Sequence, residues 1–224
     1  METAIRFKIE DIELEGRLAV PASVRAGCVV CHPHPLYGGD MESGVVVAIV
    51  RALNEAGVAT LRFNFRGVGQ STGSHGGGRP EIHDARAAVL ALCQAADLPK
   101  AFLAGYSFGS VVALGLARQD ESLAGIAAVA PPLSMFDCSF AAELTPPVFL
   151  VAGDRDNYCP AADFQRLAAK LPPTARAVTL PNADHFFAGR ETEIGAVVRD
   201  WLIEVPAQAH QQKTPAKLRE RVDL

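Results

Sequence analysis

Residues 101–117 read AFLAGYSFGSVVALGLA, and no other stretch narrows the possible folds so far. The apolar run 101–104 is short enough for a buried strand, and residues 110–117 carry the Val, Leu and Ala of a buried helix. Between them lie only Gly105-Tyr106-Ser107-Phe108-Gly109. A strand that passes into a helix across this span must turn sharply. Glycines on both sides of Ser107 remove the Cβ atoms that would collide with neighbouring strand or helix. The pattern G-x-S-x-G lifts a serine hydroxyl above the carboxyl edge of a sheet, where it can serve as a nucleophile. A serine that opens a helix is, taken alone, more often an N-cap. The rest of the chain must therefore supply what a nucleophile needs.

The same alternation of strand and helix runs through the sequence. Residues 5–9 and 12–20 alternate apolar and polar side chains around Glu10-Asp11, the pattern of two antiparallel strands joined by a tight turn. Residues 27–31, 58–65, 123–130, 148–152 and 175–180 read as further strands. Residues 44–55, 80–96, 161–171 and 194–204 read as helices, with Gly57 as a stop signal and Pro80 in a first turn. This order predicts an α/β fold: a mostly parallel central sheet, helices on both faces, and an antiparallel hairpin at the N-terminal edge. One domain over residues 1–205 is expected. From Pro206 the sequence turns polar, and residues 206–224 read as a solvated tail.

Composition excludes several classes of function. A chain of 224 residues, 49% hydrophobic and 21% charged, can bury a large core, roughly 70% of its unfolded surface for a domain of this size. A net charge of −4 offers no basic patch for nucleic acid. No stretch approaches the ~20 apolar residues of a membrane span, and the N-terminus lacks the apolar core of a signal peptide. The five cysteines, scattered through apolar segments, suit reduced thiols. Cytoplasmic location, with neither membrane nor nucleic-acid partner, is the expectation.

A serine hydroxyl near neutral pH needs an adjacent base, and the base needs an orienting group. Both lie downstream, each just past a predicted strand and so on the edge that carries Ser107. Residues 148–152 lead into Gly153-Asp154-Arg155-Asp156, and residues 175–180 into Pro181-Asn182-Ala183-Asp184-His185. His185 suits the base. The acid is Asp156 or Asp154, with Asp154 equally able to cap its own turn; Asp137 is a more distant candidate. Serine, acid and histidine in this chain order accompany the nucleophile elbow. A tetrahedral intermediate also needs two backbone donors. Phe108 N–H, directly after the serine, would be one. The other must come from His32-Pro33-His34-Pro35-Leu36-Tyr37, where the prolines have no N–H, which leaves His34 or Leu36, with His34 favoured.

Taken together, His32-Pro33-His34-Pro35, Arg66-Gly67-Val68-Gly69-Gln70-Ser71, Gly105-Tyr106-Ser107-Phe108-Gly109, Gly153-Asp154-Arg155-Asp156 and Ala183-Asp184-His185 resemble the α/β-hydrolase superfamily over about residues 5–205. Within it the chain is most similar to the small dienelactone-hydrolase-like and carboxylesterase group. The resemblance implies Ser107, His185 and Asp156 as catalytic residues, the G-x-x-D acid of the family falling on Asp156. Its H-G-x-P oxyanion loop falls on residues 32–35, with Pro33 in place of glycine. Dienelactone hydrolases proper use cysteine at the elbow, so Ser107 points to ordinary small-molecule esters, with no cofactor and no metal. The segment between residues 130 and 148 is too short for the cap of larger relatives. An open site bounded by Leu36, Tyr37, Leu133, Met135, Phe136 and Tyr158 is expected. Amidase, thioesterase or lactonase chemistry would use the same residues, and a hydrolase fold that only binds a ligand is the rival from another class.

Other patterns weigh less. Cys28-Val29-Val30-Cys31-His32 matches a haem attachment pattern but sits in an apolar strand whose cysteines would face opposite sides. Zinc on Cys31, His32 and His34 would be hampered by the alternating prolines. Gly67-Val68-Gly69 lacks the final glycine of a dinucleotide loop. Cys159 near Asp156 reads as packing rather than as a reactive thiol, and His83 as part of an exposed helix face.

Overall fold

A computed structural model describes residues 1–205, so the tail expected over residues 206–224 lies outside the described residues. In chain order the elements are β1 (Thr3–Ile9), β2 (Ile12–Ala19), β3 (Ala26–Cys31), α1 (Gly44–Glu55), β4 (Val58–Phe63), α2 (Arg79–Ala96), β5 (Phe102–Tyr106), α3 (Phe108–Gln119), β6 (Gly125–Val129), β7 (Val148–Gly153), α4 (Ala161–Ala168), β8 (Arg176–Leu180) and α5 (Glu191–Glu204). The strands form one sheet in the order β1-β2-β4-β3-β5-β6-β7-β8. β1 and β2 pair antiparallel, Ile9 opposite Ile12, and β2 pairs antiparallel with β4. Every other pairing is parallel. The expected architecture is the observed one: mostly parallel, with the hairpin on one edge.

The central strands are apolar throughout because both faces are covered. Along β3, Val29 and Cys31 enter a core roofed by α2, α3 and α4, while Cys28 and Val30 enter a second core beneath α1 and α5. Side chains that alternate across a strand thus feed two cores, and no position can be polar at low cost. Trp201 of α5 anchors the second core, stacked on Phe149 with ring centroids 5.4 Å apart and edge-on to Phe102 at 5.8 Å. α1 and α5 approach so closely that a Cβ on Gly195 would lie 2.5 Å from the Ala48 carbonyl oxygen.

Where chain direction reverses, a crevice opens. From β3 the chain moves outward to β4, then returns to place β5 on the other side of β3. The carboxyl ends of β3 and β5 therefore flank the switch point at which open α/β sheets bind ligands. The proline-rich loop leaves β3 there and Ser107 leaves β5. Between β6 and β7 the connection contains only a short 3-10 turn, Ser139–Glu143, and among the described residues no cap covers the crevice. Among the described residues no helix is long and apolar enough to cross a membrane.

Element ends differ from the sequence expectation for local reasons. β4 stops at Phe63 instead of residue 65 because Asn64 N–H bonds the Glu15 carbonyl and Phe65 N–H bonds His32 Nε2, outside the strand ladder. α3 begins at Phe108 rather than residue 110, so Ser107 alone separates strand from helix.

Candidate active site

Ser107 adopts φ 54° and ψ −120°, a strained conformation for a residue with a Cβ. Its neighbours make the turn possible. A Cβ on Gly105 would collide with the Gly109 carbonyl, and a Cβ on Gly109 with the carbonyls of Cys31 and His32. The elbow is held from below by Ser107 N–H, which bonds the Val129 carbonyl at 2.8 Å, and by Ser110 Oγ, which donates to the Ser107 carbonyl at 2.5 Å. Ser107 stands at the N-cap position of α3, yet its side chain makes no cap bond. The hydroxyl faces His185 instead, with Oγ 3.0 Å from Nε2.

His185 is placed by the loop after β8. Its Nδ1 lies 2.8 Å from Asp156 Oδ2, and its backbone carbonyl accepts the Tyr106 hydroxyl at 3.0 Å. All three side chains are buried, Ser107 at 8% exposure, His185 at 7% and Asp156 at 3%. The second Asp156 oxygen, Oδ1, accepts the N–H groups of Tyr158 at 2.8 Å and Cys159 at 2.9 Å. These bonds keep the carboxylate aimed at the imidazole. Asp154 does something else: its Oδ1 accepts Asn182 N–H at 2.6 Å and ties the β7 loop to the β8 loop. Asp137 is exposed and caps its own turn through Ser139 N–H at 2.8 Å. Of the three candidate acids, the structure brings only Asp156 to His185.

The loop after β3 faces the elbow. Pro35–Tyr37 forms a single 3-10 turn, with His34 at its N-cap accepting Leu36 N–H at Nδ1, 3.2 Å away. Tyr37 and Gly39 both donate to the His34 carbonyl, each at 3.1 Å. Leu36 N–H is therefore engaged, while His34 N–H has no acceptor among the described residues. The His34 ring packs 4.9 Å from Phe108 and 5.0 Å from both Tyr37 and His75. Partial burial and then His75 lower its pKa below the ordinary 6.5, in keeping with a neutral ring that accepts a bond at Nδ1.

His32 is fully buried and both ring nitrogens are used. Nδ1 donates to the Pro33 carbonyl at 2.6 Å, and Nε2 accepts Phe65 N–H at 3.1 Å. Burial pushes its pKa down to about 4. This histidine pins the loop after β3 to the end of β4, and neither nitrogen is free to bind a metal. Among the described residues no group of three or more His, Cys, Asp or Glu is arranged to hold one. Cys159 is buried, with its thiol pushed up to about 12 by desolvation and then Asp156.

Ser107 and His185 open into a cavity of about 510 Å³. Of the residues expected to bound the site, Tyr37, Met135, Phe136 and Tyr158 line this cavity. Leu36 and Leu133 do not, and those two assignments are corrected. Leu36 points outward from the 3-10 turn at 73% exposure, and Leu133 lines a separate shallow groove with Ser134 and Lys170. Val45, Phe186 and Glu191 join the wall without having been singled out. Phe186 could have been found from its position beside His185. Val45 and Glu191 open α1 and α5, and no local signal brings two helix starts to one cavity.

Comparisons with known proteins agree with this geometry. A family model described as an alpha/beta hydrolase domain matches residues 29–211. An uncharacterized protein of Rickettsia prowazekii is 34% identical over 218 residues, spanning 92% of this chain and 91% of that one. An alpha-beta serine hydrolase homologue from Coxiella burnetii superposes with a TM-score of 0.82 at 30% identity, covering 89% of this chain and 97% of its own. A lidless a/b serine hydrolase from Xanthomonas campestris gives 0.81 at 29% identity, covering 92% and 97%.

Proposed function

This chain belongs to the α/β-hydrolase family, and from that premise we propose that it is a serine hydrolase that cleaves small carboxylic esters through an acyl-enzyme. The observation that carries the reading is the continuous hydrogen-bonded line Ser107 Oγ, His185 Nε2, His185 Nδ1, Asp156 Oδ2, with links of 3.0 and 2.8 Å. Each atom has one role in it. The neutral imidazole accepts the serine hydrogen at Nε2 and keeps its own on Nδ1, held there by Asp156.

As Ser107 Oγ attacks the ester carbonyl, its proton passes to His185 Nε2. The imidazolium that forms lies against a carboxylate already bound by two backbone N–H groups, so Asp156 stays ionised and stabilises it. The negative oxygen of the tetrahedral intermediate is met by Phe108 N–H, at the positive end of α3 and without an intrahelical acceptor, and by His34 N–H. His34 suits this role because Leu36 N–H is spent on the His34 ring. His185 then gives its proton to the leaving alkoxide. A water deprotonated by the same Nε2 releases the acid and restores Ser107. With no cap over the crevice among the described residues, both halves of a small ester can reach the elbow.

Labelling with a fluorophosphonate tests the reading. A single adduct on Ser107, absent from Ser107→Ala, is expected, together with hydrolysis of short-chain esters. Folded protein that takes up no label would overturn it. A panel of matched ester, amide, thioester and lactone substrates ranked by kcat/KM then assigns the preferred bond.

A further inference from the structure

The cavity wall carries one formal charge. Among its described lining residues there is no Lys, Arg or Asp, and Glu191 is the one carboxylate. Its surroundings differ from those of its neighbour on α5. Glu193 also sits in the first turn, where it favours the helix dipole, and it is paired with Arg190 at 2.7 and 2.9 Å. Glu191 has no cationic partner among the described residues. Its Oε1 accepts Gly189 N–H at 3.3 Å, and its Oε2 has no donor among them.

Other features favour a cation beside it. The Glu191 stem lies along the start of α1, its Cγ 3.7 Å from where a Cβ on Gly44 would be, and both residues line the cavity. Glu191 is also close enough to Tyr106 in the cavity wall to be the least of the causes, after burial, Asp156 and Asp184, that push that phenol up. Tyr37 and Phe186, both largely exposed, line the same cavity, and aromatic rings are groups that attract ammonium. The Glu191 carboxylate faces the cavity with no cationic side chain beside it among the described residues, and a cationic ligand would supply the missing counter-charge. An anionic substrate would meet repulsion with no lining Lys or Arg among the described residues to offset it.

We propose that the cavity selects esters bearing an ammonium group, protonated or quaternary, with Glu191 as its counter-ion. This rests on the ester-hydrolase reading above and names the substrate class of the same site. Two matched pairs test it at low ionic strength: butyrylcholine against its carbon isostere, in which tert-butyl replaces trimethylammonium, and β-alanine ethyl ester against ethyl butyrate. The quantity read is the ratio of kcat/KM within a pair, which cancels any general loss in a variant. The cationic member of at least one pair should be preferred about three- to tenfold, and the preference should fall to about one in Glu191→Gln and shrink with added salt. Tetramethylammonium should slow fluorophosphonate labelling of Ser107 in the native protein more than in Glu191→Gln. Ratios at or below one in both pairs, or a preference unchanged in Glu191→Gln, would overturn the proposal while leaving the hydrolase reading intact. If none of the four esters is hydrolysed and Ser107 takes no label, both fall together.

Discussion

Gly153, at the end of β7, and Ala183, in the loop after β8, meet backbone to backbone: a Cβ on Gly153 would collide with the Ala183 carbonyl. Two further bonds close the seam, from Arg155 N–H to the Ala183 carbonyl at 3.0 Å and from Asn182 N–H to Asp154 at 2.6 Å. The acid loop and the histidine loop thus form one unit, and the 2.8 Å contact of Asp156 with His185 depends on it.

Gly153→Ala should loosen that unit. The obstruction is backbone rather than the end of a flexible side chain, so the loops must part. A destabilisation of about 1–3 kcal/mol and a fall in kcat/KM of at least roughly tenfold are expected. Thermal unfolding and ester kinetics on the same preparation check this. A folded variant with unaltered kcat/KM would mean that His185 is held in place by other contacts.

The two aspartates of the β7 loop should separate cleanly. Asp156→Asn leaves the shape but lets the imidazole take the wrong tautomer, and kcat should drop by about 10³- to 10⁴-fold. Asp154→Asn weakens the bond to Asn182 N–H, with a loss of roughly 1 kcal/mol in stability and a rate within about threefold of the native protein. Equal losses of rate in the two variants would contradict the assignment of Asp156.

Acid should destabilise the fold through His32. Its folded pKa of about 4 lies below the ordinary 6.5, so the unfolded chain binds more protons between those values and stability falls as pH falls. The contribution is full above 6.5, is lost progressively down to about 4, and amounts to something on the order of 3 kcal/mol. Urea unfolding at several pH values, with His32→Gln as the comparison, measures it. The variant should be weaker at neutral pH and show a shallower decline, and an identical decline would place the effect on other groups.

Thiol reagents should leave the activity alone. Burial drives the thiols of Cys28, Cys138 and Cys159 up to about 12 and that of Cys93 to about 11, and it pushes that of Cys31 well up too. Nucleophilicity belongs to the thiolate, so all five should alkylate slowly in folded protein near neutral pH. Iodoacetamide treatment followed by ester assay and mass analysis would show it. Rapid inactivation with modification at Cys159 would challenge the serine-based reading.

Much of the fold was legible because local chemistry and tertiary context agree. A five-residue apolar run such as residues 27–31 is short for a helix and suits a strand covered on both faces, and glycines at 105 and 109 announce a turn that tolerates no Cβ. Element ends were less legible. β4 gives up its last residues to His32 and Glu15, partners 33 and 49 positions away in sequence from the residues they bond.

By itself the sequence determined the order of strands and helices, the elbow at Ser107, and the placing of one histidine and one acid loop after the last two strands. Periodicity, turn chemistry and chain order are properties of neighbours along the chain. Sequence position alone left Asp154 beside Asp156 and Leu36 beside His34, the resemblance and the proline spacing favouring Asp156 and His34; the tertiary structure supplies the contact of Asp156 with His185, engages the Leu36 amide, and sets Leu36 and Leu133 outside the cavity while Glu191 and Val45 line it. Those outcomes depend on hydrogen bonds and helix ends brought together across the sheet, where separation in sequence carries no information about distance in space.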